Sequence, residues 1–185
     1  MSNRLKLAAL ALIFPLAACS GPVDGDNPEG MPATPTEDAE VSPTSTIGRP
    51  EQTFAAEEVE PSVTNEIKGE RVEDPAMELT YKWQGTSYAP GGGTVVVVAI
   101  TNESDAPMPA DTLRTELKWN AGNKEYRTAD PMTAEAAGVD IVGLDLPLGP
   151  GATVNAKFPF DVAAGNLWDA KFTIGNVTFE GNLNN

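Results

Sequence analysis

Met77-Glu78-Leu79-Thr80-Tyr81-Lys82-Trp83 changes from apolar to polar at every step, and Leu113-Arg114-Thr115-Glu116-Leu117-Lys118-Trp119 does the same. A period of two puts successive side chains on opposite faces, the pattern of a strand with one buried face. Val154-Asn155-Ala156-Lys157-Phe158-Pro159-Phe160-Asp161-Val162 repeats it. Thr94-Val95-Val96-Val97-Val98-Ala99-Ile100-Thr101 is β-branched almost throughout and reads as a central strand. Trp168–Ile174 and Val177–Phe179 follow, separated by Gly175-Asn176, a two-residue loop suited to a tight hairpin.

Turn chemistry separates the other strands. Pro90-Gly91-Gly92-Gly93, Asn102-Glu103-Ser104-Asp105, Asn120-Ala121-Gly122-Asn123 and Leu148-Gly149-Pro150-Gly151 all supply residues that favour reversals. No long segment has helical periodicity, and Pro131–Gly138 has room for one helical turn. About seven short strands between loops predict an all-β fold, an antiparallel immunoglobulin-like β-sandwich over residues 66–185. Its expected inward row is Tyr81, Trp83, Val97, Leu117, Trp119, Phe158, Phe160, Phe172 and Ile174. Each large side chain buried there contributes roughly 1.5–3 kcal/mol. The chain's one cysteine, Cys19, lies far from this region, so no disulfide assists the core.

Val95–Ile100 followed by Thr101-Asn102-Glu103-Ser104-Asp105-Ala106-Pro107 resembles the strand-and-turn signature of small immunoglobulin-like domains. Leu146–Gly151 with Phe158-Pro159-Phe160-Asp161-Val162 is similar to a second segment of that domain type, and Ile67–Val72 to its lead-in. Such domains occur in lipoproteins of Gram-positive bacteria and in related small secreted antigens. The resemblance covers about 66–185 and implies a fold, with no catalytic motif to carry over. The glycine run Gly91–Gly93 is a departure from the pattern.

The N-terminus reads as an address. Arg4 and Lys6 precede an uninterrupted apolar run from Leu7 to Phe14, and small residues then lead to Leu16-Ala17-Ala18-Cys19. A basic start, a short apolar stretch and a small-residue exit predict a secretory signal peptide over 1–18. The run is too short for a comfortable membrane span of roughly 20 residues. Leu16-Ala17-Ala18-Cys19 resembles the lipobox of bacterial lipoproteins. That resemblance implies cleavage between Ala18 and Cys19 and a diacylglycerol on the Cys19 sulfur. It also accounts for a lone cysteine in a secreted chain.

Residues 20–65 have a different texture. Ten acids there face one base, Arg49, and prolines stand at 22, 28, 32, 35, 43, 50 and 61. Such a stretch buries too little apolar surface to offset its ordering entropy. With Cys19 it is expected to form a disordered tether over 19–65, spanning roughly 35–40 Å or more. Over the whole chain 12 basic residues face 27 acidic ones. Loss of Arg4 and Lys6 with the leader would give 10 − 27 = −17. That charge argues against nucleic acid, whose affinity rests on Lys and Arg neutralising phosphates, and against a charge-driven grip on anionic lipid.

Catalytic chemistry has few candidates. The chain has no histidine, which removes the usual Ser-His-Asp and Cys-His triads and most zinc sites. No phosphate-binding or nucleophile-elbow motif is present. Asp140 and Asp145, with Asp130 and Glu135 nearby, offer carboxylates for a glycoside-type hydrolysis. The same acids suit a solvated loop. Asn102, Glu103 and Asp105 offer oxygen ligands for a calcium alternative, and equally an ordinary polar turn. Met108 and Met132 are expected to pack rather than bind copper. Trp83, Trp119 and Trp168 are expected in the core rather than on a carbohydrate platform. Tyr88 and Tyr126 fall at strand ends as contact residues.

The expectation is a lipid-anchored protein of the cell membrane's extracytoplasmic face. It presents a non-catalytic binding module, without a cofactor, to an envelope protein or glycan. A protease-inhibitor or chaperone-like module and a carboxylate hydrolase are the alternatives.

Overall fold

The computed structural model describes residues 52–185, and they form two packed sheets. In chain order the strands are β1 (Ser62–Thr64), β2 (Arg71–Glu73), β3 (Leu79–Tyr88), β4 (Thr94–Asn102), β5 (Thr115–Asn120), β6 (Tyr126–Thr128), β7 (Thr153–Phe160), β8 (Ala170–Ile174) and β9 (Val177–Gly181). One sheet has the order β1-β9-β8-β5-β6 and the other β2-β3-β4-β7. Every pairing is antiparallel except β1 with β9. This is the antiparallel β-sandwich that the alternation predicts. Nine strands stand where about seven were expected. Three of them, β1, β2 and β6, have only three residues each and carry no readable period.

The core follows from the pairing. Tyr81 lies opposite Ile100 and Trp83 opposite Val98. In the facing sheet Leu117, Phe172 and Phe179 align across β5, β8 and β9. These inner faces meet in an aromatic centre where Phe172 lies 5.9 Å from Trp83 and 6.1 Å from Phe160, both edge-on. Edge-to-face contacts of this kind add about 0.5–1.5 kcal/mol beyond area burial.

Two positions of the expected inward row, Val97 and Trp119, and the separately expected core residue Trp168 differ from the prediction or need refinement. Val97 points to the outer face of β4, whereas Val96, Val98 and Ile100 fill the core. There it packs with Ala89, Val95 and Ala137 in a small second cluster. A strand covered on both faces shows no alternation, so its phase is set by its neighbours. Trp119 is only half-buried, at the end of β5. Trp168 is 56% exposed, a correction to its expected core position. It ends a 3-10 turn over Ala164–Trp168 in which Leu167 takes the buried place.

The outer cluster is covered by the segment that contains α1 (Ala134–Ala137), a single turn capped by Thr133 and closed at Gly138. The Gly91 N–H donates to the Ala137 carbonyl at 3.0 Å. A Cβ at Gly91 would sit 1.9 Å from the Ala136 carbonyl oxygen, so this part of the glycine run serves close backbone contact.

The ordered fold also starts before residue 66. Ser62–Thr64, expected within the tether, lies in register with Val177–Phe179 of β9. Phe54 packs against the core, and the Glu57 N–H donates to the Ala76 carbonyl at 2.7 Å.

Candidate binding surface

Asp74 is the one carboxylate among the buried residues. Its Oδ1 accepts the backbone N–H of Ala76 at 2.8 Å and of Met77 at 3.2 Å. Its Oδ2 accepts the Tyr81 hydroxyl at 2.9 Å and the Asn176 N–H at 3.0 Å. The first two bonds close the β2–β3 turn, and the last reaches the β8–β9 hairpin of the opposite sheet. Gly175 takes φ 55° in that hairpin. A Cβ there would lie 2.4 Å from Asp74 Oδ2 and 2.6 Å from the Tyr81 oxygen. Burial, and then the adjacent Asp74 charge, hold the Tyr81 phenol far above its ordinary 10.0. A buried carboxylate with four donors, two in its own turn and one from the facing hairpin, is a clasp between sheets. The Asp74-Pro75 turn dipeptide was its only sequence signal.

The turn after β4 is likewise closed on itself. Asn102 is fully buried, and its amide nitrogen donates to the carbonyls of Ala106 and Leu148, both at 2.8 Å. Its Oδ1 accepts the Ser104 N–H at 3.0 Å and the Ser104 hydroxyl at 2.7 Å. Glu103 bonds with Arg71 and accepts the Thr80 hydroxyl at 3.1 Å. Asp105 is exposed. Of the residues named for the calcium alternative, the Asn102 oxygen and one Glu103 oxygen already have partners, and Asp105 points to solvent rather than into the corner. Among the described residues no group of three acidic or other metal-binding side chains gathers. Beside this corner an open groove of about 910 Å³ runs between Gln52–Glu57, the Asp74–Glu78 turn and Glu103–Ala106.

Asp130, Glu135, Asp140 and Asp145 are all exposed, and their carboxylates form none of the hydrogen bonds or ion pairs of the described residues. Met108 is fully buried in the core and Met132 packs in the outer cluster.

The two tyrosines differ. Tyr126, at the edge of the five-stranded sheet, donates to Asp169 Oδ1 at 2.8 Å, while Asn120 donates to Oδ2 at 2.6 Å. The Asn120 and Tyr126 bonds hold the Asp169 carboxyl below its usual range, and the Asp169 bond raises the Tyr126 phenol. Lys171 lies 5.2 Å from the centre of the Tyr126 ring and 3.1 Å from Glu180, whose bond to it raises the ammonium's pKa.

Tyr88, at the end of β3, is 80% exposed and free of side-chain bonds. It walls a cleft of about 270 Å³ whose lining includes Val95, Val97, Val139, Asp140 and Lys157. From Val139 the chain continues along the β7 border, where the Gly143 N–H donates to the Lys157 carbonyl at 2.8 Å. Ile141, Val142 and Leu146 of this stretch expose large apolar side chains, Leu146 at 68%. Sequence reading gave Tyr88 a contact role but passed over 141–146 as an apolar run.

Ala18, Cys19 and the chain through residue 51 lie outside the described residues. Among the described residues, no helix is long and apolar enough to cross a membrane. No family model matches the chain, and neither the curated proteins nor the solved structures yield a match.

Proposed function

We propose that this chain is a bacterial lipoprotein, anchored through lipid on Cys19 at the extracytoplasmic face of the cell membrane. There it presents its sandwich as a non-catalytic binding module of the envelope. The address is supported by the order of charged, apolar and small residues ending at Ala18-Cys19. The exposed apolar border around Tyr88 and 141–146 carries the binding role. Exposed apolar patches rimmed by polar residues mark interaction sites.

Two measurements test the two halves. Cys19→Ser is expected to abolish incorporation of labelled fatty acid and to move the protein from the membrane fraction to the soluble one. Unchanged labelling would overturn the anchor. For the module, the chain from Ser20 onward is immobilised and offered solubilised envelope. A saturable partner lost on a Tyr88→Ser, Leu146→Ser double substitution is expected. Turnover of an envelope substrate, abolished by Asp140→Asn and Asp145→Asn, would replace this reading with the hydrolase.

A further inference from the structure

Eight large apolar side chains are exposed among the described residues, and Tyr88, Ile141, Val142 and Leu146 share the border along β7. Half of the exposed large apolar side chains thus belong to one border. The cleft under Tyr88 has an apolar lining from Val95, Val97 and Val139 and room for an aliphatic side chain. Its other lining residues include the oppositely charged Asp140 and Lys157.

The stretch of chain that forms this border is strongly biased in charge. From Thr128 to Val162 the acids are Asp130, Glu135, Asp140, Asp145 and Asp161, and the only base is Lys157. All five acids are exposed, and none takes part in an ion pair of the described residues. An apolar centre with a polar, charged rim is the anatomy of a protein interface. The sign of the rim selects the partner, because complementary charge steers encounter and opposes wrong partners.

Resting on the binding-module reading, we infer that this border takes a cationic protein segment. The segment places one aliphatic side chain in the cleft beside Tyr88 and sets flanking Lys or Arg side chains against Asp140 and Asp145. Anionic lipid fits poorly, because the same rim repels its headgroups. A second copy fits poorly as well, since each chain carries a net charge of −15 and the same acidic rim.

The test uses the chain from Ser20 onward and a labelled synthetic peptide with one leucine flanked on each side by two lysines. Binding is followed by fluorescence anisotropy at low and at physiological salt. The expected result is saturable binding, weakened at least about tenfold by Tyr88→Ser with Leu146→Ser and by Asp140→Asn with Asp145→Asn. Glu116→Gln with Glu180→Gln, on the opposite sheet, is expected to leave the affinity within about twofold. Replacing the peptide's leucine by glycine is expected to lower affinity as much as the Tyr88 and Leu146 changes do.

Equal binding of a control peptide with glutamates in place of the lysines would overturn the inference. So would insensitivity to the border substitutions, uptake by phosphatidylglycerol vesicles through this border, or a concentration-dependent dimer that Leu146→Ser dissolves. The four border positions are exposed and the two control glutamates half-exposed, and near-ultraviolet circular dichroism checks that each variant keeps its packing. An envelope partner that ignores the border would leave the module standing and remove only the cationic segment.

Discussion

Asp74 ties the β2–β3 turn to the facing sheet through four hydrogen bonds to one buried carboxylate. Replacing it by Ala leaves the buried Tyr81 hydroxyl and the N–H groups of Ala76 and Asn176 without their acceptor. The expected loss is about 3 kcal/mol or more in urea unfolding. Tyr81→Phe removes one donor and is expected to cost about 1–2 kcal/mol. The phenol also sets a response to alkali. Its folded pKa is raised above the unfolded 10.0, so its contribution is complete below pH 10 and falls as pH rises further. Wild-type stability measured across that range should drop more steeply than that of Tyr81→Phe, and identical slopes would remove the clasp from the account. The tryptophans test burial in the same way. Trp83→Ala is expected to cost about 3–5 kcal/mol, and Trp168→Ser about 0.5 kcal/mol or less.

Strands were legible where one face met water and illegible where both were covered or where the strand was short. β3 and β8 announced their inner faces by strict alternation, and Tyr81, Trp83, Phe172 and Ile174 are buried as read. In β4 the β-branched run is buried on both sides, so nothing in it favoured Val98 over Val97. The distinction came only from register, which sets Val98 opposite Trp83. Ile100→Ala is therefore expected to cost about 2–5 kcal/mol. Val97→Thr, on the outer face, should cost about 1 kcal/mol or less. Trp168 misled because the period-two pattern was read through a 3-10 turn that ends one residue before Asp169. Ser62–Thr64 was invisible because three residues in an acidic, proline-rich setting show no period. A chain beginning at residue 66 loses β1 and the Phe54 contact, and is expected to be about 2 kcal/mol less stable than one beginning at 52. Equal denaturation midpoints would show that the strap adds nothing.

At the scale of the molecule, the sandwich could be read because its parts agreed. Alternation, turn residues and the tight Gly175-Asn176 hairpin all pointed to one architecture. The candidate binding border was half legible. Tyr88 stood out as an aromatic at a strand end, but Ile141, Val142 and Leu146 were given no role. Only the packing shows that the neighbouring Leu144 and Leu148 turn inward while they do not. The polar corner at Asn102 was misleading for the opposite reason. Its residue types suit a cation, but Asn102 turns to Ser104 and the backbone, Glu103 to Arg71 and Thr80, and Asp105 to solvent.

One consequence follows from the parallel pairing of β1 with β9. If the chain is held at its N-terminal side, a mechanical load on the sandwich passes through Ser62–Thr64 before it reaches any other strand. Three residues in register at a sheet edge offer little against such a pull, and the remaining eight strands have their own pairings without them. Under such a load the strap is expected to act as a fuse, yielding first, lengthening the reach of the chain and leaving the border beside Tyr88 intact.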